Sequence, residues 1–130
     1  MSDPGDFGPG FLAGQHTVDG YGAGGFSFAH VSHRGSILML PEGVHRWSAT
    51  QPSEITEESL AELFRAPRGS VEHLLLGTGT DLIPPRAPLR AALKAAGIVV
   101  DPMATGAAAR TYNILLGERR RVACALIAVA

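Results

Sequence analysis

One cysteine, Cys124, occurs in 130 residues. No intrachain disulfide can staple the fold, which suits a reducing compartment. Aromatic residues make up only 6%, so elements must pack largely through aliphatic and small side chains. Long apolar runs are missing too. The longest, Val122–Ala130, is far short of the roughly 20 residues that cross a bilayer as a helix. The opening residues MSDPGDFGPGFLAG have no basic n-region, no apolar h-region and no Arg-rich leader. A secretory or mitochondrial address is therefore not expected, and the cytoplasm is. Net charge is −1, which argues against a dedicated nucleic-acid or membrane-surface protein.

Catalytic signatures are equally scarce. There is no G-x-S-x-G and no Walker-type lysine. Cys124 sits in an apolar stretch with no neighbour that would lower its pKa. His30 and His33 lie on a strand-turn where they point to different sides, and His16, His45 and His73 are scattered. No Cys joins them, so no metal site is expected. His73 with Asp81 makes an acid–base pair only by assumption. No catalytic residue and no cofactor is expected from these residues.

What is present reads as one globular domain. A chain of this length buries roughly two-thirds of its unfolded surface, and 45% hydrophobic with 18% charged residues excludes a disordered chain. Half of the 16 glycines fall within residues 1–25. Ordering them is entropically costly, so 1–25 is expected to be a flexible segment: a tail over Met1–Gln15, then a loop over His16–Gly25. The domain is expected over 26–130.

Phe26–Val31 and Ser36–Leu40 predict a hairpin with Gly35 in its turn. Val44–Trp47 suggests another short strand. Thr56–Arg65 predicts a helix capped by Thr56 and buried through Leu60, Leu63 and Phe64. Leu74, Leu75 and Leu76 are consecutive, so Glu72–Leu76 is expected to be a strand covered on both faces. Pro88 opens a helix that buries Leu89, Ala92, Leu93 and Ala96, and Gly97 ends it. Ile98–Val100 is a strand that Asp101-Pro102 should break. Thr105 caps a second main helix, ended by Gly117. Arg121–Val129, apolar on both faces, is the expected central strand.

Charge divides unevenly. Residues 1–76 carry four Arg against nine acids, net −5; residues 77–130 carry six Arg and one Lys against three acids, net +4. Gly77-Thr78-Gly79 after a strand is similar to a dinucleotide-binding turn, where glycines admit a pyrophosphate. It departs from that pattern: Leu82 takes the third glycine place, Pro84 and Pro85 delay the helix, and Asp101 is the nearest acid. A tight strand exit needing positive φ is the plainer reading. Geometry adds another clue. If Glu72–Leu76 and Ile98–Val100 are parallel, the loops after them share one sheet edge. The helix at Thr105 would then aim its free N–H groups into the gap. Gly77, Thr78, Gly79, Thr105, Gly106 and Arg110 are the candidate ligand residues, the last three for an anionic group. The plainer alternative has Thr105 capping its helix, Arg110 pairing with a local carboxylate and Asn113 satisfying backbone groups. Glu118–Arg121 reads as a solvated turn, or as a contact for an acidic partner.

The run TGAAARTYNILL from Thr105, followed by ERRRVA from Glu118, resembles the Mth-type domain family, with further likeness at Gly77–Gly79 and Ala91–Gly97. The resemblance covers roughly residues 26–128. It implies an α/β fold: a three-layer single domain with a central mixed β-sheet, to which the sequence adds an N-terminal hairpin and two main helices. It carries over no catalytic residue. The family includes a mitochondrial complex I assembly factor, which implies a role through protein contacts. Two readings follow. The first is a non-catalytic interaction protein with a protein partner, and with a homodimer as its self-partner. The second is a small anionic-ligand binder or enzyme using the cleft between 77–80 and the helix starting near Thr105.

Overall fold

The computed structural model describes residues 10–130. A mixed six-stranded sheet forms its centre, in the order β1 (Phe11–Ala13), β6 (Gly43–Trp47), β5 (Ser36–Leu40), β9 (Val122–Leu126), β7 (His73–Gly77), β8 (Val99–Met103). β7 runs parallel to both β8 and β9, while β5 is antiparallel to β9. A separate three-stranded antiparallel sheet holds β2 (Gly20–Gly22), β3 (Gly25–Phe28) and β4 (Val31–Arg34). Among the described residues, a short 3-10 helix at Pro52–Glu54 and three α-helices complete the fold: α1 (Ala61–Arg65), α2 (Ala87–Ala95) and α3 (Thr105–Gly117).

The three layers follow from alternation along the central strands. Leu74, Leu76, Ala123, Ala125, Leu38 and Leu40 point to one face, where they pack with α1 and α2 through Leu63, Leu89 and Leu93. Leu75, Val122, Cys124, Leu126, Ile37 and Met39 point to the other, against α3 and the small sheet through Ala108, Tyr112, Phe26 and Phe28. The consecutive leucines of β7 are fully buried because both faces are covered. β9 lies between β5 and β7, central as its apolar run requires.

Several expectations change. Residues 1–9 of the expected tail lie outside the described residues. Residues 10–25 are built into the fold rather than preceding it: Phe11–Ala13 pairs with β6, Gly20–Gly22 pairs with β3, and Val18 is buried. The hairpin also moves. β4 pairs with β3 around Ala29 and His30, both at positive φ, while β5 leaves for the central sheet. Gly35, at φ +102, marks that crossing between sheets, where a side chain would be strained. α1 starts later than expected. Thr56 and Ser59 exchange backbone-to-hydroxyl bonds at 3.0 and 3.1 Å in the turn before it. β8 continues through Asp101-Pro102, because it is an edge strand, where a missing N–H breaks no ladder on the open side.

Candidate functional site

The helical crossover between parallel β7 and β8 places the loops after them on one sheet edge, as expected. The two loops then touch directly. The Gly79 N–H donates to Thr105 Oγ1 at 3.0 Å, and the Thr105 N–H donates to the Gly79 carbonyl at 2.8 Å. The Thr78 N–H donates to the Met103 carbonyl at 2.9 Å. Thr105 is fully buried, and its hydroxyl donates to the Ile127 carbonyl at 2.7 Å. It is the first residue of α3, with Ala104 in the cap position and no side-chain cap bond. The expected capping role of Thr105 is thus replaced by a cross-link among β7, α3 and β9. These bonds join the two loops directly.

The first glycines play different parts from those expected. Positive φ falls on Gly79 (+102). Gly77 is needed for space: a Cβ there would lie 2.8 Å from Leu126 Cδ2 and 3.0 Å from Thr105 Cα. Thr78 is buried and organises the loop, its hydroxyl donating to the Asp81 carbonyl at 2.5 Å and accepting from the Ile83 N–H at 2.9 Å.

Gly106 and Arg110 are gathered elsewhere, by Tyr21 of β2. A Cβ on Gly106 would lie 2.4 Å from the Tyr21 hydroxyl, and Arg110 Nη1 donates to that hydroxyl at 3.2 Å. Arg110 therefore meets a phenol rather than the carboxylate of the plainer reading. Asn113 does satisfy backbone groups, on Val18: its side chain accepts from the N–H at 2.8 Å and donates to the carbonyl at 2.7 Å. Sequence reasoning missed Tyr21; an aromatic between glycines in a stretch read as loop was its only signal.

The six candidate residues thus separate. Thr78 and Gly79 line a groove of about 370 Å³ together with Thr80 and Asp81, the 50–52 loop and the 127–130 segment. This groove lies at the carboxyl ends of β7 and β9, the edge where open α/β sheets receive ligands. No cation lines it. It offers hydroxyls, backbone groups and the Asp81 carboxylate as hydrogen-bonding groups.

Other polar clusters lie outside the groove. His73 pairs with Asp101 across β7 and β8 at 2.5 Å, not with Asp81. Glu72 pairs with Arg121. Glu42, His45 and Glu62 converge from a turn, β6 and α1, with one ligating atom of each within 4.8 Å of the others. His45 Nε2 and Glu42 Oε1 are 3.0 Å apart, and Arg65 neutralises Glu62 at 2.5 Å, so each carboxylate already has a side-chain partner. Burial pushes the Cys124 thiol well above its ordinary pKa, which leaves it a neutral core side chain and not a nucleophile. Among the described residues, no helix is long and apolar enough to cross a membrane.

A family model described as a protein of unknown function (DUF498/DUF598) matches residues 18–127. An uncharacterised protein of Rhodobacter capsulatus is 42% identical over 92% of this chain and 89% of its own. The Danio rerio protein NADH dehydrogenase (ubiquinone) 1 alpha subcomplex assembly factor 3 is 35% identical over 85% of this chain. This chain spans 63% of that relative's length. Among solved structures, a Bartonella henselae protein described as an outer membrane protein superposes with TM-score 0.87 at 42% identity, covering 92% of this chain and 99% of that one. A Bordetella pertussis protein described as a Mth938-like domain gives 0.72 at 33% identity, covering 98% and 90%.

Proposed function

The chain belongs to the DUF498/DUF598 family of unknown function, and from that premise we propose that it works by protein contact, as a non-catalytic interaction protein that helps assemble a respiratory or other multiprotein complex. The observation that carries this reading is the match to assembly factor 3 across 85% of the chain. The Mth-type resemblance found in the sequence points the same way. Self-association of the chain belongs to the same reading. The cytoplasm is the compartment this reading takes, in line with a sequence whose single cysteine allows no intrachain disulfide. Deleting the gene in its own organism and resolving respiratory complexes on native gels tests the role. Partly assembled intermediates should accumulate. Complexes assembled at the normal rate and in normal amount would refute it.

A second reading rests on the groove itself. A small ligand could bind there by donating hydrogen bonds to Asp81 and accepting from Thr80. The anionic ligand expected from Thr105, Gly106 and Arg110 lacks this support, because none of the three lines the groove. A ligand that binds only the folded chain raises its melting temperature. A metabolite screen that includes cationic and neutral polar compounds should therefore give a shift, one that Asp81→Ala abolishes.

A further inference from the structure

One face of the domain carries charges sorted by sign. From Trp47 to Phe64 the chain has four acids and no base; from Leu82 to Val100 it has Arg86, Arg90 and Lys94 and no acid. Both stretches cover the same face of the central sheet, since Ile55, Leu60 and Leu63 share one core cluster with Leu89 and Leu93. They do not neutralise each other. Glu54 is held by Thr50 and Glu62 by Arg65. Glu57, Glu58, Arg86, Arg90 and Lys94 are exposed, with no side-chain partner among the described residues.

The basic residues recur every four positions, which aligns them in one stripe along α2. Ala87, Ala91 and Ala95 are exposed beside it, so the stripe borders a flat strip that another chain can approach closely. Between the two charged stretches lies a hollow of about 230 Å³, lined by Pro52, Ser53 and Ile55 from one and by Ile83, Pro84, Pro85 and Arg86 from the other. Leu82, next to it in the chain, is 55% exposed.

We propose that this face joins two copies of the chain across a two-fold axis that lies in the contact plane along the hollow. The rotation sets each basic α2 over the acidic stretch of the other copy, twice over. It also sets the two hollows against each other at the axis, with the exposed Leu82 and Ile83 of each copy beside them, which gives the contact an apolar centre with a charged rim. Self-complementarity of this kind is what an isologous interface requires. Anionic lipid fits the face less well, because the outward residues of α2 between the cations are alanines, not the large apolar side chains that insert into a bilayer. The inference deepens the protein-contact reading, on which it rests, by naming the partner and the face.

Two charge-reversed variants test it by sedimentation of the purified chain. R90E/K94E and E57K/E58K change exposed sites only. Each alone places like charges opposite one another, and should weaken self-association about a hundredfold or more. Mixed in equal amounts, they should form a heterodimer, since both contacts are then attractive. Leu82→Asp should weaken the wild-type dimer without changing the melting temperature of the monomer. High salt should weaken it as well. A wild-type chain that stays monomeric at high concentration and low salt overturns the proposal, even if α2 binds anionic vesicles or another acidic protein. So does a mixture of the two variants that fails to associate. Native gels of the deletion strain judge the assembly role separately, so failure of the dimer and failure of that role are distinguishable.

Discussion

The Thr105 hydroxyl donates to the Ile127 carbonyl at 2.7 Å while it accepts from the Gly79 N–H at 3.0 Å. One fully buried oxygen thus ties the exit of β7, the start of α3 and the end of β9. Thr105→Val keeps the shape and removes both bonds, leaving polar backbone groups unpaired. It should cost about 2–4 kcal/mol. Thr105→Ser keeps the oxygen and loses one methyl, for about 1 kcal/mol. Urea unfolding measures both. Equal losses in the two variants would show that the hydroxyl is not the tie.

The glycines on either side of Thr78 should respond differently to alanine. At Gly77 the new Cβ meets Leu126 and the Thr105 backbone at 3.0 Å or less. Backbone cannot yield cheaply, so Gly77→Ala should cost about 2–3 kcal/mol. At Gly79 nothing lies within 4 Å, but φ is +102, so Gly79→Ala should cost about 1–2 kcal/mol through strain alone. Denaturant midpoints rank the pair, and the reverse order would assign the packing role wrongly.

Short-range signals carried much of this fold. The consecutive leucines of β7, the Leu89–Leu93 face of α2 and the apolar run of β9 were legible because burial on two faces or one stripe leaves a pattern within a few residues. The early strands were not. β1 and β2 are three residues each, too short to show a period, and exist through distant partners: β1 pairs with β6, and the segment entering β2 is held through Val18 by Asn113, 95 positions away. The hairpin turn sits on Ala29 and His30, neither a turn-marking glycine. At the site, the shared sheet edge was legible from topology. The roles were not: a Thr before a helix reads as a cap, yet tertiary partners claimed its hydroxyl. Arg110 found Tyr21, 89 positions away.

Asn113 holds the Val18 backbone by both its N–H and its carbonyl, at 2.8 and 2.7 Å. The pair acts as one rung of a ladder between α3 and the segment entering β2. Asn113→Asp keeps the acceptor but loses the donor to the Val18 carbonyl, so it should lower stability by about 1–3 kcal/mol. Hydrogen exchange at Val18 and its neighbours should quicken more than in β7 or β9, because the loss is local before it is global. Uniform acceleration across the sheet would mean that Asn113 supports the whole core instead.

Alkaline pH should unfold the protein through two buried acids. Tyr112 and Cys124 lie together in the core around α3 and β9. Burial raises the pKa of both groups, and for Tyr112 the nearby Cys124 adds to the shift. Each ionises by losing a proton, so the folded state keeps protons that the unfolded chain has already released. The stability this contributes is present in full below the unfolded values, 9.0 for the thiol and 10.0 for the phenol. It is lost as pH rises above them. Unfolding free energy should fall by about 1.4 kcal/mol per pH unit once the thiol titrates in the unfolded chain, and by about twice that once the phenol joins it. Cys124→Ala should remove the first part of the slope. Tyr112→Phe should start lower, because it loses the bond from the hydroxyl to the His16 carbonyl at 2.8 Å, and yet should fall less steeply above pH 10. Urea unfolding at a series of pH values separates starting point from slope. A Tyr112→Phe curve parallel to the wild type throughout would place the alkaline transition elsewhere in the chain.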